Sequence, residues 1–134
     1  MDSKNQIQNR EIKFRAWDEN QQAMAYQGFP DLETIQSFFF HYGDKTLMQF
    51  TGLKDKTGKE IYEGDLLLDK EFTEDDFDIS GKYPVVYDVN QCCFCVDNSF
   101  KKDGSSLVNI IDYFGVENLE VIGNVYENSE LLKN

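Results

Sequence analysis

The sequence is a succession of short apolar segments separated by turn residues, and this feature restricts the fold more than any other. Its uninterrupted apolar runs are only a few residues long, as in Phe38–Phe40 and Cys92–Val96. A membrane-spanning helix needs roughly 20 consecutive apolar residues, and no such run is present. Several segments instead alternate apolar and polar residues and end at glycine or aspartate, which is typical of half-buried β-strands joined by tight turns. We therefore predict a mainly β fold, a β-rich α+β domain.

The N-terminal part is predicted to form a hairpin and a short helix. Ile12–Trp17 alternates apolar and polar residues, Asp18–Gln21 supplies a turn, and Met24–Tyr26 returns as the partner strand. Within residues 31–42 apolar side chains fall at helical spacing, although the phenylalanine-rich end would also suit a strand. We predict a helix that ends before Gly43.

The second part is predicted to form a small closed or partly open barrel. Leu47–Thr51 and Lys59–Tyr62 flank the turn Lys54–Gly58, whose glycine can take a positive φ and close a hairpin. Later apolar segments supply further strands: Leu66–Leu68, Tyr83–Val89, Cys92–Val96, Leu107–Ile111 and Leu119–Tyr126. Short strands at close spacing, joined by glycine turns, are typical of a small barrel.

These segments divide the chain into four parts. A length of 134 residues is enough for one ordinary domain or two small subdomains with a real core. A polar tail (1–9) is predicted to be disordered, and a hairpin and helix subdomain (10–52) follows it. The barrel (53–127) comes next, and a C-terminal tail (128–134) ends the sequence.

Tyr83–Val89 and Cys92–Val96 are predicted to pair as a hairpin with a two-residue connection, Asn90-Gln91. The predicted pairs share one face: Val89 with Cys92, Tyr87 with Phe94, and Val85 with Val96. The opposite face carries a mixed set of side chains: Val86, Asp88, Cys93 and Cys95. Such a set suits a partly wet surface or a subunit contact.

An excess of acidic residues argues against direct nucleic-acid binding. The chain carries 13 Lys and Arg against 25 Asp and Glu, a net charge of −12, which repels a phosphate backbone. The densest acidic stretch, Asp69–Asp78, is predicted to be a solvated loop. Some basic residues can still form a local patch: Arg10, Lys13, Arg15, Lys54, Lys56 and Lys59. Because the first residues do not resemble a secretory signal, we expect a cytoplasmic protein without a membrane partner.

The three cysteines are predicted to be reduced thiols that pack as small apolar residues. Cys92 and Cys95 have the C-x-x-C spacing of zinc and redox motifs. On a strand, however, they point to opposite faces, and a redox motif favours a helix N-terminus. Four zinc ligands would also require His41, the only histidine, from elsewhere in the chain. We predict no metal and no cofactor.

The remaining polar clusters also suit structural roles. His41, on which any mechanism with a catalytic histidine would depend, is predicted to be an edge or capping residue because no partner is visible. Asp76–Gly81 resembles the start of a calcium loop, but Tyr87 stands where an EF-hand has its bidentate glutamate. Glu74–Asp76 is an acidic run, but general acid–base catalysis needs a pocket that gives its carboxyl groups different pKa values, and the sequence indicates none there. We predict no catalytic residue.

Three segments resemble the YopX family of bacteriophage and prophage proteins. The most specific is Met48–Asp65, MQFTGLKDKTGKEIYEGD, and it is supported by Arg10–Asp18, REIKFRAWD, and by Val121–Asn128, VIGNVYEN, whereas residues 66–118 match loosely. The resemblance implies a phage-derived cytoplasmic protein that is mostly β, has an SH3-like barrel in its second part and tends to self-associate. It implies no reaction and no catalytic residues.

Two aspartates of the central segment, Asp55 and Asp65, occupy turn positions. Aspartate in a turn accepts hydrogen bonds from neighbouring backbone N–H groups. We therefore predict a structural role for both.

Three functions are compatible with these features. The first is a non-catalytic phage accessory protein that contacts other phage or host proteins and copies of itself. The second is an acidic decoy that occupies the DNA-binding surface of a host protein, with its carboxylates in place of phosphates. The third is an enzyme of unrecognised type, which would require a pocket with convergent polar groups. We expect the first.

Overall fold

The computed structural model describes residues 11–28, 34–43, 46–69, 82–97, 107–109 and 119–132. Its elements are β1 (Phe14–Asp18), β2 (Ala23–Tyr26), α1 (Ile35–Tyr42), β3 (Leu47–Lys54), β4 (Glu60–Tyr62), β5 (Asp65–Asp69), β6 (Lys82–Asp88), β7 (Cys93–Asp97), β8 (Leu107–Asn109), β9 (Leu119–Asn124) and a 3-10 helix (Ser129–Leu132). Within these ranges, neither helix has the length and apolar character needed to cross a membrane. The predicted tail, 1–9, lies outside the described residues.

The first sheet contains the predicted N-terminal hairpin. Its strand order is β2-β1-β3-β4, and all three pairings are antiparallel. The helix predicted from the apolar spacing is present as α1, where the Thr34 hydroxyl accepts a hydrogen bond from the Ser37 N–H at 3.1 Å and so caps the first turn. Phe38 is the buried residue of α1, and the helix contacts β1.

The second sheet has the strand order β8-β7-β6-β5-β9, again with antiparallel pairing throughout. Its buried side chains form one apolar cluster: Ile61, Leu67, Tyr83, Val85, Val96, Leu119 and Val121. Ile61 comes from β4 of the first sheet, and Leu53 of β3 packs against the same cluster. The end of the first sheet therefore completes the core of the second.

The predicted fold class is confirmed as mainly β, with an N-terminal hairpin, a short helix and a β-rich small-barrel arrangement. β3 pairs with β1 at its start and supplies Leu53 to the second core at its end. The predicted division between residues 52 and 53 falls inside β3 and stays a prediction.

The second hairpin confirms the predicted register and corrects the predicted turn. Tyr87 pairs with Phe94 and Val85 with Val96, as expected. The two-residue connection is wrong: residues 89–92 form a four-residue turn, and Asp88 pairs with Cys93 at its base. The Asp88 carboxylate accepts the Asn90 N–H at 3.0 Å, which favours the longer turn.

The face of this hairpin predicted to be a partly wet surface or a subunit contact is more buried within the chain than a wet surface would be. Cys95 and Asp88 are buried, whereas Val89, predicted on the apolar face, is exposed in the turn. Alternation along a strand indicates which residues share a face. It does not indicate what covers each face.

Candidate functional site

The three segments that carry the family resemblance meet where the two sheets join, and we call this region the junction. Residues 10–18 contribute β1, residues 48–65 contribute β3, β4 and the start of β5, and residues 121–128 contribute the end of β9 and the turn after it. Most of the buried charged residues of the described chain lie in the junction, so it is the candidate site.

An ion pair between Arg15 and Asp65 is the centre of the junction. Both residues are almost fully buried, with 3% and 2% of their surfaces exposed, and the Arg15 Nη2 to Asp65 Oδ1 distance is 2.9 Å. Arg15 Nη2 also donates to the Glu63 carbonyl at 3.1 Å, and Asp65 Oδ2 accepts the Tyr62 N–H at 2.8 Å. Breaking a buried pair of this kind leaves an uncompensated charge in a poorly solvated place.

The guanidinium of Arg15 also stacks on an aromatic ring. Its Cζ lies 4.7 Å from the centroid of the Tyr62 ring, a cation–π geometry. The ring and the ion pair together hold the side chain of Arg15 in place, whereas its buried Nε has no hydrogen-bond partner within the described residues.

Burial dominates the acidity of the groups around Arg15. It raises the pKa of Asp65, and the Arg15 charge and the Tyr62 N–H offset only part of this effect. It raises the pKa of Glu63 as well, although Glu63 Oε1 accepts the Gln49 N–H at 2.9 Å. Burial, followed by the negative charge of Glu60, raises the pKa of Tyr62 to about 12.

Asp55 makes a second polar centre at the turn between β3 and β4. Its Oδ1 accepts hydrogen bonds from the Thr57 N–H at 2.8 Å, the Thr57 hydroxyl at 2.7 Å and the Lys59 N–H at 2.9 Å. Its Oδ2 accepts the Val121 N–H of β9 at 2.9 Å. One carboxylate therefore closes its own turn and attaches that turn to the edge of the second sheet.

Aromatic stacking and a close backbone approach join the third segment to the junction. The rings of Trp17 and Tyr126 are stacked, with centroids 5.4 Å apart and an interplanar angle of 9°. Gly64 accepts the Val125 N–H at 2.8 Å through its carbonyl. A Cβ at Gly64 would lie 2.9 Å from the Met48 Sδ, and its φ is +86°, so glycine is required there on both counts.

The turn after β9 is capped by its own amide side chains. Asn124 Oδ1 accepts the N–H groups of Tyr126 at 3.0 Å and Glu127 at 2.9 Å. Asn128 Oδ1 accepts the Asn124 N–H at 3.1 Å. The strand predicted to reach Tyr126 therefore ends at Asn124, and the turn holds Tyr126 against Trp17.

Arg15 does not belong to the local basic patch that the sequence allows. Arg15 is buried in its ion pair, and Lys13 Nζ bonds Glu60 Oε2 at 2.6 Å while lying 5.0 Å from the Phe50 ring centroid. Burial lowers the pKa of Lys13, but the hydrogen bond to Glu60 and the neighbouring negative groups together outweigh it, so the net direction is upward. The other lysines of the patch, Lys54, Lys56 and Lys59, are exposed at the Asp55 turn, and Arg10 lies outside the described residues.

The other residues singled out by the sequence do not join the junction. His41 is exposed in the last turn of α1. Glu74–Asp76 and the calcium-like Asp76–Gly81 lie outside the described residues. Across the described ranges, no group of three or more His, Cys, Asp or Glu side chains is placed to hold a metal ion.

Asp55 and Asp65 can be identified from the sequence, but their partners cannot. From the sequence alone, Arg15 is a candidate for a local basic patch, and Tyr62 and Glu63 have no assigned functional role. One signal is available: in the alternating segment Ile12–Trp17, Arg15 shares a strand face with Trp17, a residue type that is highly buried on average.

Fold and junction define a class of small β-rich proteins in which two antiparallel sheets are joined through internally bonded charged and aromatic residues. A model of the YopX protein family matches residues 29–133, and the chain belongs to that family. A crystal structure of protein EF1440 from Enterococcus faecalis is similar over 93% of this chain and 100% of that chain, with 26% sequence identity and a TM-score of 0.57. No curated protein matches the sequence.

Proposed function

We propose that this YopX-family chain is a non-catalytic accessory protein of phage or prophage origin that acts in the bacterial cytoplasm through protein–protein contacts, including contacts between its own copies. The arrangement of the charged groups in the junction supports the non-catalytic part of this proposal. Arg15, Asp65 and Asp55 are buried and bond to other groups of the same chain. The hydrogen bonds that these groups form therefore stabilise the fold.

The observation that carries the proposal is the outer surface of α1. Phe38 is 2% exposed and anchors the helix, whereas Phe40 is 87% exposed and Ile35 and Phe39 are also exposed. Exposed aromatic side chains on one short helix are costly to hydrate and are enriched at protein–protein interfaces. A partner that covers them gains the free energy of burying that apolar surface.

Sedimentation velocity of the purified chain at micromolar concentration tests the self-association. We expect an oligomer for the natural sequence and a monomer for the double variant Phe39→Ser, Phe40→Ser. Tyr87→Ser is the matched control, because Tyr87 is an exposed aromatic residue on β6 rather than on α1. A natural chain that sediments only as a monomer would overturn this part of the proposal.

The acidic-decoy function stays a prediction that rests on the charge of the sequence, because residues 70–78, which hold most of the acidic stretch, lie outside the described residues. Capture of a host protein at low salt, and its release as the salt concentration rises, would favour the decoy, because charge–charge attraction is screened by ions. Capture that persists at high salt would favour the apolar contact.

A further inference from the structure

The outer edge of β2 carries backbone groups that the rest of the described chain does not use. β2 is the first strand of the sheet β2-β1-β3-β4, so it pairs on one side only. The Gln27 N–H donates to the Phe14 carbonyl of β1 at 3.0 Å and therefore points toward β1. Because backbone groups alternate sides along a strand, those of Ala25 also point toward β1, and those of Met24 and Tyr26 point outward. Apart from the pairing with β1, the described residues make no hydrogen bond to the backbone of Met24 or Tyr26.

An edge of the second sheet, β9, is protected in a way that β2 is not. The Lys56 N–H donates to the Leu119 carbonyl of β9 at 3.1 Å. The Val121 N–H of the same strand donates to Asp55 Oδ2 at 2.9 Å, so the turn after β3 covers this edge. Proteins also protect edge strands with charged side chains, proline or β-bulges. β2 has none of these, since its sequence is AMAY and its register with β1 is continuous.

The charge distribution and the symmetry of the edge favour a second copy of the chain as the partner. Residues 20–30 are the longest uncharged stretch of the sequence, and they include all of β2. Copies with a net charge of −12 repel each other, so they approach at the lowest cost through an uncharged surface. Antiparallel pairing around a two-fold axis places the same strand of each copy opposite itself, which makes the edge self-complementary.

We propose that two copies pair through β2 in antiparallel orientation, so that their first sheets form one continuous sheet; this inference rests on the self-association proposed above. Placing Ala25 at the two-fold axis pairs Met24 of each copy with Tyr26 of the other. This register uses the outward N–H and carbonyl groups of both residues. Tyr26 is exposed and Met24 is half-buried, and their side chains contact each other across the axis. Strand addition of this kind obtains its affinity from main-chain hydrogen bonds.

The pairing is continuous with the exposed surface of α1. The helix contacts β1, the strand next to β2. A two-fold axis normal to the sheet keeps both helices on one face, and the two β1 strands are then about 14 Å apart, which is three strand spacings. The pairing therefore brings the exposed Phe39 and Phe40 of both copies toward the same axis. The β2 edge and α1 belong to one interface.

A position-specific cross-link tests the register. The two copies of Ala25 form a non-hydrogen-bonded pair with Cα atoms about 4.5 Å apart, which is within disulfide range. The exposed thiol of Cys92 is first removed from every chain by Cys92→Ser. After oxidation with diamide, Ala25→Cys should run as a covalent dimer in non-reducing electrophoresis. Ala23→Cys is the matched control and should stay unlinked: Ala23 is the more exposed residue, but its two copies are about 13 Å apart along the strands.

Sedimentation velocity of the same chains separates this inference from the proposal on which it rests. An oligomer in which Ala25→Cys does not cross-link, or in which Ala23→Cys cross-links equally, would overturn the pairing through β2 and leave the self-association in place. A natural chain that sediments only as a monomer would overturn both.

Amide hydrogen exchange of the natural chain, measured by NMR, provides a second readout without any substitution. The N–H groups of Met24 and Tyr26 should exchange more slowly as the protein concentration rises through the range in which the oligomer forms. The N–H of Ala25 faces β1 within the same copy, so its exchange should change less and serves as the internal control. Exchange at Met24 and Tyr26 that does not depend on concentration, in a chain that self-associates, would overturn the pairing.

Discussion

Asp55 and Asp65 are both buried, but the chain compensates their charges in different ways. Asp55 receives hydrogen bonds from Thr57, Lys59 and Val121 and has no ion-pair partner among the described residues. Asp65 receives one backbone N–H, from Tyr62, and relies on the guanidinium of Arg15. Burial raises the pKa of both carboxyls, but the hydrogen bonds reverse this only at Asp55, whose net pKa is lowered.

The comparison distinguishes a buried charge that is stabilised by hydrogen bonds from its own turn from one that is stabilised by a partner distant in sequence. Three of the four hydrogen bonds to Asp55 come from Thr57 and Lys59 in its own turn, so they form as the turn forms. Arg15 is 50 residues away from Asp65 in sequence, so its contribution requires the two sheets to be in place. A carboxylate held by fixed dipoles is therefore less dependent on the rest of the fold than one held by a distant counter-ion.

The largest expected effect comes from removing the counter-ion. Arg15→Met should lower the free energy of unfolding by about 3–5 kcal/mol, because it leaves Asp65 charged and buried without its partner. Urea denaturation measures the change. Lys13→Met is the matched control, since Lys13 forms a more accessible ion pair with Glu60, and it should cost only about 1 kcal/mol. Equal losses in the two variants would contradict the central role of the buried pair.

Asp55→Asn is expected to have an intermediate effect. The amide keeps one acceptor oxygen but turns an NH₂ group toward either the Thr57 and Lys59 N–H groups or the Val121 N–H. We expect a loss of about 1–3 kcal/mol, the cost of leaving a buried donor without an acceptor. The same urea experiment measures it, and a variant as stable as the natural chain would show that the turn does not depend on this charge.

The pH dependence should distinguish the two aspartates. Because the folded-state pKa of Asp55 is lowered, its contribution is present above the unfolded value of about 4 and is lost as the pH falls through the folded value. The difference in the free energy of unfolding between the natural chain and Asp55→Asn should therefore become smaller as the pH falls from neutral to about pH 3. The folded-state pKa of Asp65 is raised, so its contribution to the stability of the protein has the opposite pH dependence. That contribution is lost as the pH rises through the folded-state pKa. A gap that widens in acid would contradict the assignment for Asp55.

The smallest expected effect is at Asp18, which makes similar local hydrogen bonds but is only half-buried. Its Oδ1 accepts the N–H groups of Asn20 at 3.0 Å and Gln21 at 3.1 Å in an exposed turn. Asp18→Ala should cost about 0.5–1 kcal/mol, because water can replace the lost acceptor. Thermal unfolding measures the change. A cost as large as that of Asp55→Asn would show that burial is not what separates the two turns.

The two hairpin turns show how much local structure can be predicted from the sequence. Asp18-Glu19-Asn20-Gln21 and Asp88-Val89-Asn90-Gln91 share the pattern D-x-N-Q, and each precedes a residue with positive φ, Gln22 at 53° and Cys92 at 56°. From the sequence we predict four turn residues for the first turn and a two-residue connection for the second. The shared pattern indicates the same turn in both places, and this comparison corrects the second prediction.

The sequence alone determined the mainly β class, the register of the β6–β7 hairpin and the turn roles of Asp55 and Asp65, because alternation and turn chemistry act between residues that are close along the chain. Only the tertiary structure decided that Arg15 pairs with Asp65, that Trp17 stacks on Tyr126 and that Asp55 bonds Val121. Each of these contacts joins segments far apart in sequence, and their partners are fixed only when the sheets pack and exclude water from the junction.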